Sequence, residues 1–289
     1  MWGSAGEVEF VGIAEAASPH GHVLLLHRSE GTRAQELSAW VRHGLAGGER
    51  VIYPLADREG DRNSLLDILS GPQAVGRQDV DAALADGRLR IASAAEYYPP
   101  GRQTTLVGEA FADGYASVRM FGDANTAIGV LGQQGYLAFE REIDWLCAGG
   151  RVSILCTYDE RLVPRELALR NVTLHPGGLK VDLLTFAVHA GEVHLSGELD
   201  RSNADLLEAS LAVAVERERP GNRLRVLMSN LTFCDVAGAR AVLQGSRFLR
   251  DNGGRVLLLD PVASVRRTLD LMGDDDFPGL AVWGDHDYS

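Results

Sequence analysis

His22, Cys156, Asp159 and His175 are the side chains of this sequence best suited to chemistry. Imidazole together with a thiol can hold a metal ion or a reactive small molecule. Their separations are wide, with no Cys-x-x-Cys and no paired histidines, so the spacing selects no metal site and assigns no cofactor. The same residues also fit a plainer role, as histidines hydrogen-bonded at element ends and a buried, inert strand thiol. No nucleophile and base stand in a compact motif, and no catalytic residue is assigned. His27-Arg28-Ser29-Glu30-Gly31-Thr32-Arg33-Ala34 occupies the place of a phosphate loop in an α/β fold. Such a loop needs a lysine and closely spaced glycines; this one has a single glycine, no lysine, and Glu30, which repels phosphate. Nucleotide hydrolysis is not expected there.

The elements that must position these groups alternate. His22 to His27 is an unbroken apolar run, the pattern of a strand covered on both faces. Leu37, Trp40, Val41 and Leu45 then share a helical face ended by Gly47-Gly48, and Val51 to Tyr53 starts a second strand. The theme recurs with strands Leu89 to Ala92, Ala116 to Met120 and Val152 to Cys156, the last preceded by a helix carrying Phe139, Ile143, Leu146 and Cys147. Alternation of this kind predicts a mostly parallel sheet with helical crossovers. Site residues are then expected near the carboxyl ends of the strands. Trp40 and Trp145 are expected in the core, and Tyr97-Tyr98-Pro99-Pro100 as an ordered loop. His175 to Lys180 (HPGGLK) reads as a linker.

Beyond it the character changes. Leu183 to Val188 and Val193 to Ser196 predict a hairpin around Gly191. Asn203 is the expected N-cap of a helix with Leu207, Leu211 and Val215 inward, ended by Pro220-Gly221. A strand Leu224 to Met228 follows, then a helix after Asp235 that buries Ala241, Val242, Gly245, Phe248 and Leu249. Arg240 and Arg247 fall on its solvated side. Val256 to Leu259 and a helix from Val262 to Leu271 complete the pattern. Asp235 itself fits an N-cap.

The 289 residues suffice for two domains, each with its own core. A net charge of -12 argues against nucleic acid and against an anionic membrane surface as partners. The start, Met1 to Phe10, lacks the pattern of a signal peptide, and no apolar run approaches the length of a spanning helix. Three cysteines at wide spacing suit a reduced, cytoplasmic setting rather than a disulfide framework.

Two resemblances follow from longer motifs. HVLLLHRSEGTRAQELSAWVRHGLAGGERVIY, then Glu96-Tyr97, Gly114-Tyr115, Arg119, Gly122-Asp123, Glu140, Cys156-Thr157-Tyr158-Asp159 and His175-Pro176, resemble the MEDS sensory domain over residues 18–178. The resemblance implies a degenerate RecA- or KaiC-like fold that senses a small molecule, with His22, Cys156, Tyr158, Asp159 and His175 as ligand-binding residues. Leu24 stands where that family often has cysteine, and Thr126 near where it often has an aromatic. Gly197-Glu198-Leu199-Asp200 with Asn203-Ala204, and Leu231 to Gly238, resemble the STAS domain of anti-sigma-factor antagonists. The expected division is a MEDS-like domain over 1–178 and a smaller STAS α/β domain over 179–289. In regulatory STAS proteins the residue after the second motif's aspartate is a phosphorylated serine or threonine; here it is Val236. The resemblance implies a non-enzymatic regulator that binds an anti-sigma factor or kinase-like ATPase domain through Asp200, Asn203, Asp235 and Val236. A protein-binding adaptor without a small-molecule ligand, or a thiol- and histidine-dependent enzyme, are the competing readings.

Overall fold

In the computed structural model, residues 13, 21–55, 61–70, 76–162, 164–189, 191–217, 222–273 and 277–283 are described. The helix end expected at Pro220-Gly221, Ala190 of the hairpin turn and the start Met1 to Phe10 lie outside them. The chain divides into two compact units, one running from Ile13 to Asp182 and the other built on Leu183–Ser289.

The first unit contains β1 (His22–His27), α1 (Glu30–Ala46), β2 (Arg50–Leu55), α2 (Asp61–Leu69), α3 (Arg77–Ala85), β3 (Leu89–Ser93), α4 (Ala94–Tyr97), α5 (Arg102–Ala112), β4 (Val118–Asp123), α6 (Ala124–Ala148), β5 (Val152–Asp159), α7 (Arg165–Val172) and β6 (Gly178–Val181). Its strands stand in the order β6-β1-β5-β4-β2-β3, every pairing parallel. All side chains of β1 and β5 are buried, which is why both read as continuous apolar runs rather than alternating ones. Register pairs His22 with Ile154, Leu24 with Cys156 and Leu26 with Tyr158, so these six share one face of the sheet. Val23, Leu25 and Leu155 point the other way, into a core with Leu37, Trp40 and Val41 of α1. α6 is kinked at Gly132, whose φ of 68° and ψ of 170° leave the helical region, as glycine permits.

Two expectations change. Trp145 is 71% exposed on α6, whereas Trp40 is core, its indole N–H donating to the Met120 carbonyl at 2.9 Å. Helical spacing alone does not say which side of a helix is covered. Tyr97 ends α4 and Tyr98 to Pro100 form the expected ordered loop; both tyrosines are buried, and Tyr98 Oη accepts from the Asp123 backbone N–H at 3.0 Å. The HPGGLK segment is no linker. Its second half is β6, paired along β1, and Gly177 lets the backbones meet, since a Cβ there would lie 2.9 Å from His22 N and O.

The second unit contains β7 (Leu184–His189), β8 (Glu192–Leu199), α8 (Ala204–Glu216), β9 (Arg223–Cys234), α9 (Val236–Gly245), α10 (Arg247–Asp251), β10 (Arg255–Leu259), α11 (Ala263–Leu271) and β11 (Leu280–Trp283). The order is β11-β10-β9-β8-β7, parallel except for the β7–β8 hairpin. β9 runs beyond the expected Leu224 to Met228, through Thr232 to Cys234, because β8 keeps pairing with it, across two register shifts. Phe248, expected inside, is 56% exposed: the helix breaks at buried Ser246, and α10 turns the ring outward. The local pattern predicts no strand where β11 lies.

Candidate functional site

The face shared by His22, Cys156 and Tyr158 carries a cluster of buried polar side chains. Glu140, from the second part of α6, reaches this face, and His175 arrives from the turn after α7. His22 Nε2 lies 3.0 Å from Glu140 Oε2, His175 Nε2 lies 3.4 Å from the same oxygen, and Cys156 Sγ lies 3.5 Å from His22 Nε2 and 4.0 Å from Oε2. The two imidazoles overlap with centroids 3.9 Å apart. Outside this ring of four, Tyr158 Oη donates to Glu140 Oε1 at 3.2 Å, and His175 Nδ1 meets the Asn171 carbonyl at 2.6 Å. All five side chains are buried.

Burial sets their proton affinities. The Glu140 carboxyl is pushed up to about 7 by desolvation, and His175 is pulled down to about 3, by desolvation first and by His22 second. The Cys156 thiol is raised well above its ordinary value by desolvation and by Glu140. A thiol so placed is a poor nucleophile.

His22, Cys156 and His175, singled out by residue type, are thus brought together. The place differs from the one expected. His22 opens β1 and Cys156 lies midway along β5, so the cluster is inside the sheet–helix layer, away from the carboxyl edge. Asp159 is separated from it, because in a strand neighbouring side chains point to opposite faces. Asp159 lines a different feature, a cleft of 780 Å³ at the carboxyl edge, with His27, Arg33, Tyr53, Asp123 and Thr126. There Arg161 grips its carboxylate, with Nε at 2.8 Å from Oδ1, and holds it down at about 2. Arg33 bonds Tyr53 Oη at 3.2 Å and Glu30 at 3.3 Å, and Ser29 Oγ caps α1 by accepting from Thr32 N at 3.1 Å. This is the loop that lacks a lysine. Glu140 is the functional candidate the residue-type search left out. The only sequence signal for it was its place in the longer motif set.

In the second unit the turn after β8 and the turn after β9 are tied together by one carboxylate. Asp235 Oδ1 accepts from Gly238 N at 2.8 Å as the N-cap of α9, and Oδ2 accepts from Arg201 N at 3.2 Å. Gly238 admits this packing, since a Cβ on it would meet the Leu199 carbonyl at 2.8 Å. Asn203 does not cap α8 with its side chain. It is buried, accepts from Asp200 N at 3.0 Å and donates to the Glu198 carbonyl at 3.0 Å. It therefore shapes the turn from within, and a partner cannot reach it. Asp200 binds Ser202 N at 2.7 Å and stays partly open to solvent. Val236, first residue of α9, is 47% exposed, and so is Phe233.

The family model of the MEDS domain, the methanogen/methylotroph, DcmR sensory domain, matches residues 21–176, more than half of the chain. The chain belongs to the MEDS family. A second model, described as a Mlab, STAS domain, matches residues 183–281. Among curated proteins, an anti-sigma F factor antagonist of Paenibacillus polymyxa is 31% identical over 81 residues, which is 28% of this chain and 68% of that protein. Among solved structures, the anti-sigma factor antagonist SpoIIAA in its unphosphorylated form is 22% identical, covering 36% of this chain and 90% of its own, with a TM-score of 0.29. The flagellar accessory protein FlaH of Methanocaldococcus jannaschii is 14% identical, covering 59% and 78%, with a TM-score of 0.38. The buried ring of four and the carboxyl-edge cleft thus both lie in the MEDS domain, and the Asp235 tie in the STAS domain. Among the described residues no helix is long and apolar enough to cross a membrane.

Proposed function

We propose that this chain is a non-enzymatic signalling regulator, in which the STAS domain docks on an anti-sigma factor of the kinase type and the MEDS domain supplies a small-molecule input. The observation that carries the reading is the position after Asp235. Val236 is half-exposed at the first turn of α9, where its side chain has no hydroxyl to accept a phosphoryl group. A phosphoserine at such a helix start carries roughly -1.5 to -2 charges and repels an acidic partner. Val236 cannot acquire that charge, so docking escapes phosphorylation at this residue. Control passes to the MEDS domain, whose carboxyl-edge cleft, with Asp159 and Arg33 on its wall, is the place for the ligand. The likeness to an anti-sigma factor antagonist supports the docking half of the reading. The absent lysine at residues 27–34 and the protonated, buried Cys156 support a chain without NTPase or thiol chemistry.

The docking face consists of Val236, Phe233 and Asp200, with Asp235 and Asn203 holding both turns in place. Val236→Glu tests it. A carboxylate in the first turn of a helix is tolerated by the helix dipole, so the variant folds. In the complex that charge is buried without a partner, and affinity for the host's purified anti-sigma factor kinase falls at least about tenfold, or about 1.4 kcal/mol. Titration calorimetry with unchanged affinity places docking elsewhere. A phosphorylated Ser229 or Thr232 that releases the partner shows that control has moved to another hydroxyl.

A further inference from the structure

The ring of four in the MEDS domain has the donor set and the spacing of a closed metal site. We infer that His22, Glu140, Cys156 and His175 bind a single zinc ion in a tetrahedral site of two imidazoles, one thiolate and one carboxylate, independently of how the STAS domain docks.

Distances come first. Zinc–ligand bonds of roughly 2.0–2.3 Å set neighbouring donor atoms of a tetrahedron about 3.3–3.6 Å apart. The ring shows 3.0, 3.4 and 3.5 Å, with 4.0 Å for the sulfur–oxygen edge. All four donor atoms lie within 4.8 Å of one another, so small side-chain shifts would bring them all to a single ion.

The outer partners agree. A histidine that binds metal through one ring nitrogen donates the other N–H to a carbonyl or carboxylate, which fixes the tautomer. His175 Nδ1 sits 2.6 Å from the Asn171 carbonyl, which turns the Nε2 lone pair inward, and Nε2 makes no hydrogen bond of its own. The second oxygen of Glu140 is held by the Tyr158 hydroxyl, leaving Oε2 to face the ring. Tyr158 is therefore a positioning residue.

Charge selects the ion. Thiolate and carboxylate carry two negative charges in a buried place, and a divalent cation with two neutral imidazoles makes the site neutral, which the low dielectric demands. Loading displaces the thiol proton of Cys156 and the carboxyl proton of Glu140 to solvent as the metal–sulfur and metal–oxygen bonds form. Nitrogen and sulfur donors disfavour calcium and magnesium, and four protein ligands with no open position favour structural zinc. The other group of possible ligands, His27, Glu30 and Asp159, has its central carboxylate bound by Arg161 and does not qualify.

The full chain is unfolded in guanidinium with chelator, then refolded with zinc or with cobalt(II) as its spectroscopic substitute. One zinc per chain is expected by atomic emission. With cobalt, the visible bands of a four-coordinate ion and a near-ultraviolet thiolate-to-metal band are expected, and zinc should bleach both. Cys156→Ser should lose the thiolate band. Tyr158→Phe should keep the spectrum but weaken zinc binding by roughly 10–100-fold. Asp81→Asn, on an exposed helix surface away from the ring, should change neither. A refolded wild-type chain with native circular dichroism and no stoichiometric ion overturns the site, as does a thiolate band that survives in Cys156→Ser. Partner binding by the STAS domain is read separately, so failure of one proposal leaves the other standing.

Discussion

At the scale of single residues, the two candidate regions of the MEDS domain differ in how burial treats charge. Asp159 keeps its carboxylate because Arg161 donates to it from side chain and backbone, whereas Glu140 faces imidazoles, a thiol and a hydroxyl and holds its proton near neutrality. The Asp159 case has a definite pH consequence. Its folded-state value of about 2 lies below the ordinary 3.8, so the folded chain binds fewer protons than the unfolded one between these values. Stability from this contact is full above about pH 4 and drains away as pH falls towards 2. Asp159→Asn should lower the melting temperature at neutral pH and leave it little changed near pH 2, so that the acid limb of the profile flattens. An unchanged acid limb means that the contact contributes nothing.

Elements are joined in the MEDS domain by a buried ion pair unlike the pairs at the surface. Arg119, early in β4, donates from Nε and Nη2 to both oxygens of Glu49, just before β2, at 3.1 and 2.9 Å, and its guanidinium lies over Trp40 of α1 at 4.3 Å. One arginine thus fastens two strands and a helix. Gly44 makes room, since a Cβ there would sit 2.7 Å from Arg119 Cδ. Both partners are buried, so removing one leaves the other charged and without compensation. Glu49→Ala should destabilise the domain by about 3–5 kcal/mol, read from chemical denaturation. By contrast, Arg77→Ala, which breaks an exposed helix-surface pair with Asp81, should cost well under about 1 kcal/mol. Equal losses in the two variants would contradict the argument from burial.

For the whole molecule the relevant quantity is the charge of -12. A net charge of this sign opposes the counterion release that drives binding to nucleic acid. Mobility-shift titration with duplex DNA at low salt, where such binding is strongest, should show no complex at micromolar protein. A shifted band whose strength falls steeply with salt would mean that a basic patch outweighs the net charge.

Sequence alone determined the alternation of strand and helix, the parallel sheet and the two families, because these follow from periodicity, glycine stops and motifs local in the chain. It also determined that Val236 cannot be phosphorylated, since that is a matter of atoms present. Tertiary structure alone decided the rest. Cys156, Tyr158 and Asp159 are neighbours in sequence, yet strand alternation sends Asp159 to the opposite face and into the cleft. Glu140 joins His22 and His175 only because α6 lies across the face that β1 and β5 share, a relation between segments far apart in the chain. Asn203 reads as a cap from its type and position, but packing turns its side chain inward, where hydrogen bonds to the Asp200 and Glu198 backbone outweigh a bond to the helix end. Local pattern names which residues can do chemistry; the layering of sheet and helix decides which of them meet.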